Sequence, residues 1–418
     1  MRRSLAAGLA SVLPLAGLTA CSATDAPDGS AVVLAATSDR QIELSRWDTA
    51  RQWRKGETAG TAVDGGDLVF DSAVRSATAA GRSYDVARWT SPWVTTGFDY
   101  TELVASWSAT TPKDSWIEIE VRGRDGSDRT TWDTIGRWAS GDRYLQRSTD
   151  SGQGDDGTSV AVDTWRTPGL PAFQLRVRLA RRAGASYRPR LDLATVMTSR
   201  VPSTAGPTSQ AGPARGVVLP VPRFSQMAHR GHYPQWGGGG EAWCSPTSTS
   251  MVLAYYDALP PARRYAWVPA GHVDPWVDHA ARMTYDHAYD GTGNWPFNTA
   301  YAAPLAGKAF VTRLRSVREA EELLAAGIPV VASIAFGPGE LDGAPISASD
   351  GHLLVIVGVR DNGNVVVNDP ASSDRRHVRR TYDRAQFERV WLDASGGLAY
   401  VITDAAHPLP DPRAATNW

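Results

Sequence analysis

CSPTSTSMVLAYY, residues 244–256, carries the strongest structural and chemical signal in the chain. Its apolar residues recur at helical spacing and predict an amphipathic helix over residues 246–259. Proline is typical of the first turn of a helix, so Pro246 places Cys244 at the helix N-terminus. Because unpaired N–H groups and the helix dipole stabilise an anion there, Cys244 is a candidate thiolate nucleophile.

The only other cysteine, Cys21, closes an N-terminal segment with the pattern of an export signal. Two arginines precede an apolar stretch over residues 5–18, which is too short to span a bilayer comfortably. The box Leu-Thr-Ala-Cys that ends at residue 21 resembles the cleavage site of bacterial lipoproteins. We therefore expect a signal peptide over residues 1–21, a polar tether over 22–30, and an exported protein that is lipid-anchored on the outer face of the membrane. The alternative is an ordinary secreted protein. Exported proteins usually pair their cysteines, so the lone Cys244 favours a chemical role.

Composition excludes some classes of partner. The formal net charge is −1, from 43 basic and 44 acidic residues, which gives no electrostatic case for nucleic acid or for binding an anionic membrane surface. Membrane contact is expected through the lipid anchor only.

The first part of the chain, residues 31–197, has short alternating strands separated by turn residues. Residues 117–121 and 173–179 both place apolar side chains on one face and charged ones on the other. The pattern predicts an all-β sandwich of the jelly-roll type. Nine of the 16 tryptophans precede residue 200; we expect most of them in the core, with a carbohydrate-binding platform as the alternative.

A different pattern follows residues 198–216, a Ser-, Thr-, Pro- and Gly-rich stretch that predicts a flexible linker. Residues 217–405 combine the helix after Cys244 with a second helix over 316–326 and β-branched strands over 328–336, 353–359 and 365–367. These elements predict an α+β domain, followed by a tail over 406–418.

His352 and Asp369 are the candidate partners of the thiol. His352 begins one predicted strand and Asp369 follows the next, and the turn DNGN over residues 361–364 joins the two strands. A hairpin of this kind brings its far ends together, so imidazole and carboxylate should lie side by side. A thiol, a base and an orienting acid are the parts of a nucleophilic triad.

Four segments together resemble papain-fold cysteine peptidases of the bacteriocin-processing, double-glycine-leader type, in their stand-alone secreted branch. The segments are CSPTSTSMVLAYY, AGIPVVASIAF, GHLLVIVGV and GNVVVNDPA. The resemblance covers residues 217–405 and implies a papain-like α+β fold. It assigns Cys244 as nucleophile, His352 as general base and acid, and Asp369 as the orienting residue. It implies a peptide or protein substrate and no cofactor.

In that family a glutamine before the cysteine donates a hydrogen bond to the oxyanion. Gln226 matches the family's segment, and Gln235 is the competing candidate. A donor must be held rigidly, and Gln235 adjoins the glycine run over residues 237–240, so Gln226 is the preferred assignment. Ser245 departs from the family, in which glycine most often follows the cysteine.

Other readings stay open at this point. The same triad would serve an amidase or a transglutaminase-type acyltransferase acting on cell-wall peptides. A lipoprotein that binds peptides or glycans without catalysis is the third candidate. The sequence also contains histidines and aspartates at spacings of seven and eight residues, but no HExxH-like signature, so no metal site is predicted. They are His272, His279, His287, Asp274, Asp278 and Asp286.

Overall fold

A computed structural model describes residues 40–411 and 416–418. The predicted signal, cleavage box and tether therefore lie outside the described residues. The chain folds into an all-β N-terminal part followed by a domain of mixed helices and strands, so the predicted α+β class is confirmed. None of the helices in the described part is both long and apolar enough to span a bilayer.

The N-terminal part contains fourteen strands in its described range and one short helix, α1 (Ala50–Trp53). The strands are β1 (Gln41–Trp47), β2 (Glu57–Ala59), β3 (Thr61–Asp64), β4 (Asp67–Phe70), β5 (Arg75–Ala79), β6 (Arg82–Thr90), β7 (Val94–Thr110), β8 (Ser115–Asp125), β9 (Asp128–Arg129), β10 (Asp133–Trp138), β11 (Ser148–Thr149), β12 (Ser159–Ala161), β13 (Thr164–Arg182) and β14 (Arg190–Arg200). Their main order is β11-β10-β8-β13-β7-β14-β4-β3, and β6 joins β13 to β2 and β5.

The two predicted alternating segments lie on β8 and β13, which pair antiparallel. Ile119 faces Val177 across the ladder, and both are buried in the core. The charged face of these strands is not exposed to solvent as the alternation predicts, because Glu118 and Glu120 are also buried. Glu118 contacts Arg178 at 2.7 Å, an ion pair that compensates the loss of hydration.

The second domain contains five helices and six strands in its described range. The helices are α2 (Cys244–Tyr255), α3 (Pro275–Thr284), α4 (Trp295–Ala306), α5 (Val317–Ala325) and α6 (Arg384–Ser395). The strands are β15 (Lys308–Arg313), β16 (Val330–Phe336), β17 (Ser349–Val359), β18 (Val365–Asn368), β19 (Arg379–Tyr382) and β20 (Leu398–Thr403). All six strands pair antiparallel in the order β15-β20-β16-β17-β18-β19.

Helix α2 is shorter at its end than the predicted span of 246–259. The N–H of Tyr256 donates to the carbonyls of both Val252 and Leu253, and Asp257 adopts a φ of 53°. A residue in the left-handed region ends a helix, although the apolar pattern continues for two more residues.

The segment between the domains is hydrogen-bonded to the second domain, which differs from the flexible linker that its composition predicts. The N–H of Ser209 donates to Glu388 at 2.7 Å, and the N–H of Gly212 donates to Glu321 at 2.7 Å. Both carboxylates are buried, so these contacts attach the segment to helices α6 and α5.

The two domains share one continuous hydrophobic core. The ring of Phe297, on α4, contacts Trp107 and Trp138 of the N-terminal sheet at centroid distances of 6.1 and 5.2 Å. Buried polar contacts cross the same boundary: Asp286 accepts from the hydroxyl of Thr149 at 2.8 Å.

Candidate active site

Cys244 is the first residue of α2 and is partly exposed. The side chain of Trp243 forms no capping hydrogen bond, so the first N–H groups of the helix stay available to the sulfur. Ser245, the departure from the family pattern, is buried, and its hydroxyl lies 3.0 Å from the hydroxyl of Tyr400. It therefore packs away from the thiol and does not block it.

His352 and Asp369 lie together at one end of the hairpin formed by β17 and β18. The strand register pairs Val355 with Asn368, which brings the residue after β18 beside the start of β17. His352 Nε2 lies 2.8 Å from Asp369 Oδ1, and both side chains are buried. The juxtaposition expected from the hairpin is thus present.

Two further groups hold the Asp369 carboxylate. The hydroxyl of Tyr382 donates to Oδ2 at 2.8 Å, and the N–H of Ala371 donates to Oδ1 at 3.0 Å. Sequence reasoning missed Tyr382. It lies on β19, a strand of four residues whose pattern gives no chemical signal.

The thiol and the imidazole act on each other. Burial by itself raises the pKa of a thiol, but the hydrogen bond and charge of His352 outweigh it and lower the pKa of Cys244. The backbone N–H groups of Leu353 and Ser245 act in the same direction. Burial lowers the pKa of an imidazole, but Asp369 and then Cys244 outweigh it and raise the pKa of His352 to about 10. Both directions favour a thiolate–imidazolium pair.

The two candidate oxyanion donors occupy different environments. Gln226 is buried at the start of a short 3-10 helix, Gln226–His229, and its Nε2 donates to the carbonyl of Glu241, three residues before Cys244. Its backbone N–H donates to Pro370 at 2.9 Å, next to Asp369. Gln235 is exposed. The rigidity that an oxyanion donor requires is therefore found at Gln226.

Cys244 opens into a cleft of about 460 Å³ between the domains. One wall comes from residues 161–166 of the N-terminal domain, at the turn between β12 and β13, and the loop 289–295 lines the cleft as well. Residues 333–335 contribute from β16, and Asp350, Gly351 and Leu353 contribute from β17. The N-terminal domain thus forms part of the candidate site, which the sequence does not predict.

A larger cavity, about 620 Å³, also lies between the domains, but Cys244 and His352 are absent from its lining. It contains His279, whose pKa is lowered to about 4 by burial.

The histidines and aspartates considered for a metal by spacing do not converge as a set. Asp274 pairs with Arg375 at 2.5 Å, Asp286 binds Thr149, and His287 is exposed. Only His272 and Asp278 approach each other, at 3.6 Å. They lie beside His229 and His232, a pair three residues apart that the spacing argument overlooked.

The tryptophans of the N-terminal domain are mostly core residues. Seven of them are buried: Trp47, Trp53, Trp89, Trp107, Trp116, Trp138 and Trp165. Trp93 and Trp132 are partly exposed, and arginines lie over both rings.

Comparison with known families gives two matches. The model of the Peptidase C39 N-terminal domain matches residues 43–199, and the model of the Peptidase_C39 like family matches residues 218–398. No curated protein matches the chain.

Among solved structures, the chain has a match to a family two carbohydrate esterase from Cellvibrio japonicus, at 10% sequence identity and a TM-score of 0.19. The match covers 52% of this chain and 50% of the esterase, so it spans about half of the esterase's length. A likeness at this level carries no argument about fold or function.

Proposed function

Since the chain belongs to the C39-like cysteine peptidases through both of its matched domains, we propose that it hydrolyses amide bonds of peptides or proteins through Cys244. The single observation that carries the proposal is the continuous polar chain from the Cys244 thiol through His352 to Asp369, at the helix end that opens into the cleft.

Acyl transfer follows from the orientation of the groups. The Cys244 thiolate attacks the carbonyl carbon and forms a tetrahedral intermediate. His352 uses Nε2 to contact Asp369, so its Nδ1 is the nitrogen that gives a proton to the departing amine. Water then attacks the thioester, with His352 now accepting its proton, and the carboxylic acid leaves with the thiol restored.

The oxyanion would be held by two donors. The backbone N–H of Cys244 is at the first position of α2, where the helix supplies no acceptor. The Gln226 amide carries two hydrogens, of which one is given to Glu241, so the second remains for the substrate. An extended peptide suits a cleft whose lining includes four glycines, Gly237, Gly291, Gly293 and Gly351, and is shared between two domains.

The experiment compares wild type with Cys244→Ala and His352→Ala on an unfolded protein substrate. Each substitution removes a member of the reacting unit, so we expect kcat/KM to fall by about 10³-fold or more. His377→Ala is the matched control, because His377 is exposed and also pairs with an aspartate, Asp374, at 3.0 Å. Full activity of Cys244→Ala would refute the proposal. Cleavage of peptidoglycan peptides alone would restrict the substrate to the cell wall.

A second measurement follows the thiol directly. We expect iodoacetamide to alkylate Cys244 with a pH midpoint below the ordinary value of ~8.5. His352→Ala should raise this midpoint, because burial remains while the stabilising imidazolium is lost. Identical pH profiles for the two proteins would contradict the assigned pair.

We further propose that the enzyme works outside the cell and is held on the membrane by a lipid anchor at Cys21, a residue outside the described range. Cys21→Ala should release the protein from the membrane fraction. Retention of this variant on membranes would count against the anchor.

A further inference from the structure

Three histidine side chains from two separate segments converge on one buried carboxylate. Asp278, in the first turn of α3, is fully buried. Its Oδ2 lies 3.0 Å from His229 Nδ1, and its Oδ1 lies 2.8 Å from His232 Nδ1 and 3.6 Å from His272 Nδ1. Within the described part of the chain, every ion-pair contact recorded for this carboxylate is to a histidine.

Three of these groups offer donor atoms that are close enough to share one cation. Zinc binds imidazole nitrogen and carboxylate oxygen at about 2.0–2.2 Å, which places neighbouring donors about 3.3–3.5 Å apart in a tetrahedron. The imidazole nitrogens lie 2.8–3.6 Å from the nearer Asp278 oxygen, with His229 on Oδ2 and the other two histidines on Oδ1, so small shifts would bring them to that spacing. The candidate donor atoms of His229, His232 and Asp278 all lie within 4.8 Å of one another.

Within the described residues, one nitrogen of this cluster that faces Asp278 lacks a hydrogen-bond partner. His272 Nδ1 is buried and has no hydrogen-bond partner, although it points towards Asp278. The rings of His232 and His272 are stacked, with centroids 3.8 Å apart. The two rings therefore present their nitrogens side by side, next to the same carboxylate.

We propose that His229, His232, His272 and Asp278 bind one divalent cation of the zinc type. Three imidazoles and one carboxylate suit zinc better than calcium or magnesium, which prefer oxygen ligands. His229, His232 and Asp278 supply three donors within 4.8 Å of one another, and His272 would supply the fourth by moving closer when the cation binds. With four protein donors the site would be structural.

The location indicates what the cation stabilises. His229 ends the 3-10 helix that begins at Gln226. A Cβ at Gly240 would lie 1.8 Å from the carbonyl oxygen of His229, so the backbone leading to Cys244 packs directly on the cluster. The cation would therefore tie the segment from 226 to 243 to helix α3.

The test uses the full-length chain, stripped with a chelator and titrated with Zn²⁺ in competition with a chromophoric chelator. We expect one equivalent of zinc per chain and a rise in the thermal unfolding midpoint of several degrees. Co²⁺ in place of zinc should give the visible d–d absorption of a tetrahedral complex. Neither readout depends on peptidase activity.

Matched variants separate coordination from general damage. His232→Ala and His272→Ala change half-buried positions, and each should lower zinc affinity by at least tenfold while circular dichroism stays native. His377→Ala lies outside the cluster and should bind like wild type. Wild-type protein that binds less than half an equivalent, or cluster variants with unchanged affinity, would overturn the proposal and leave a hydrogen-bonded His–Asp network.

Discussion

At the scale of the single residue, the Asp369 carboxylate determines how the His352 ring is held. Burial by itself raises the pKa of a carboxyl group, but the charge and hydrogen bond of His352, with the Tyr382 hydroxyl, outweigh it and lower the pKa of Asp369. Tyr382 touches neither thiol nor cleft, so it is a positioning residue. The carboxylate is stable in the core because donors reach both of its oxygens.

Tyr382→Phe should reduce the free energy of unfolding by about 1.5–3 kcal/mol at neutral pH, the range for a hydrogen bond to a charged group. A carboxyl with a depressed pKa contributes stability above its unfolded value of about 3.9 and loses it as the pH falls through the folded value. The deficit of the variant should therefore shrink on acidification. Urea unfolding at pH 7 and at pH 3 measures it.

Tyr256→Phe is the control for this substitution, because its hydroxyl donates to a neutral carbonyl, that of Ile402, at 3.0 Å. It should cost about 0.5–1.5 kcal/mol at both pH values. Equal losses in the two variants would contradict the special role of Tyr382.

At the scale of the element, the turn between β12 and β13 is the part of the N-terminal domain that lines the cleft. Val162 has a φ of 56°, a backbone conformation that β-branched residues rarely adopt. The next residue, Asp163, is buried and accepts from the N–H of Trp295, at the start of α4, at 2.8 Å. This contact joins the cleft wall to the second domain.

Asp163→Asn should stabilise the protein, and the gain should be larger at pH 8 than at pH 5 by on the order of 2 kcal/mol. Burial raises the pKa of Asp163 to about 7, despite the hydrogen bond from Trp295. The wild-type protein therefore loses stability as the pH rises from about 4 to 7, because over this range the unfolded chain gives up the proton that the folded protein still holds. Asparagine keeps an acceptor for Trp295 without the charge.

Urea unfolding at the two pH values checks this prediction, with Asp125→Asn at the exposed end of β8 as the control. A gain that is the same at pH 5 and pH 8 would show that ionisation of Asp163 is not its source.

At the scale of the whole molecule, the domain boundary is part of the core. Arg313, at the end of β15, is buried and donates to Glu102 and Ser199 of the N-terminal sheet and to the carbonyl of Ser395. The Phe297 ring lies against two tryptophans of the other domain. Neither domain buries its apolar surface completely by itself.

The described domains should consequently unfold in one cooperative transition, by calorimetry and by tryptophan fluorescence alike. A fragment of residues 201–418 should aggregate or bind an apolar dye, because removal of the N-terminal sheet exposes Phe297 and Arg313. It should also lose peptidase activity with its cleft wall. Two separate transitions, together with an active soluble fragment, would contradict a shared core.

The sequence predicted a large part of this molecule. The α+β class and the family are confirmed, and the hairpin that pairs His352 with Asp369 is present, because strand alternation and turn residues are local signals. The catalytic roles of Cys244, His352, Asp369 and Gln226 stay predictions. Tyr382 and His229 were missed, since a single tyrosine or histidine has no spacing from which its partner can be inferred.

Local periodicity and turn chemistry by themselves determined where α2, α5 and the strands β16 to β18 form and which end of α2 carries the thiol, since these depend on residues a few positions apart. Only the tertiary structure decided that the N-terminal domain forms one wall of the cleft, that residues 201–216 pack against the second domain, and that three histidines surround Asp278. Most of those contacts join segments that are tens to more than a hundred residues apart, and their energy comes from burial and complementary shape, which no local pattern records.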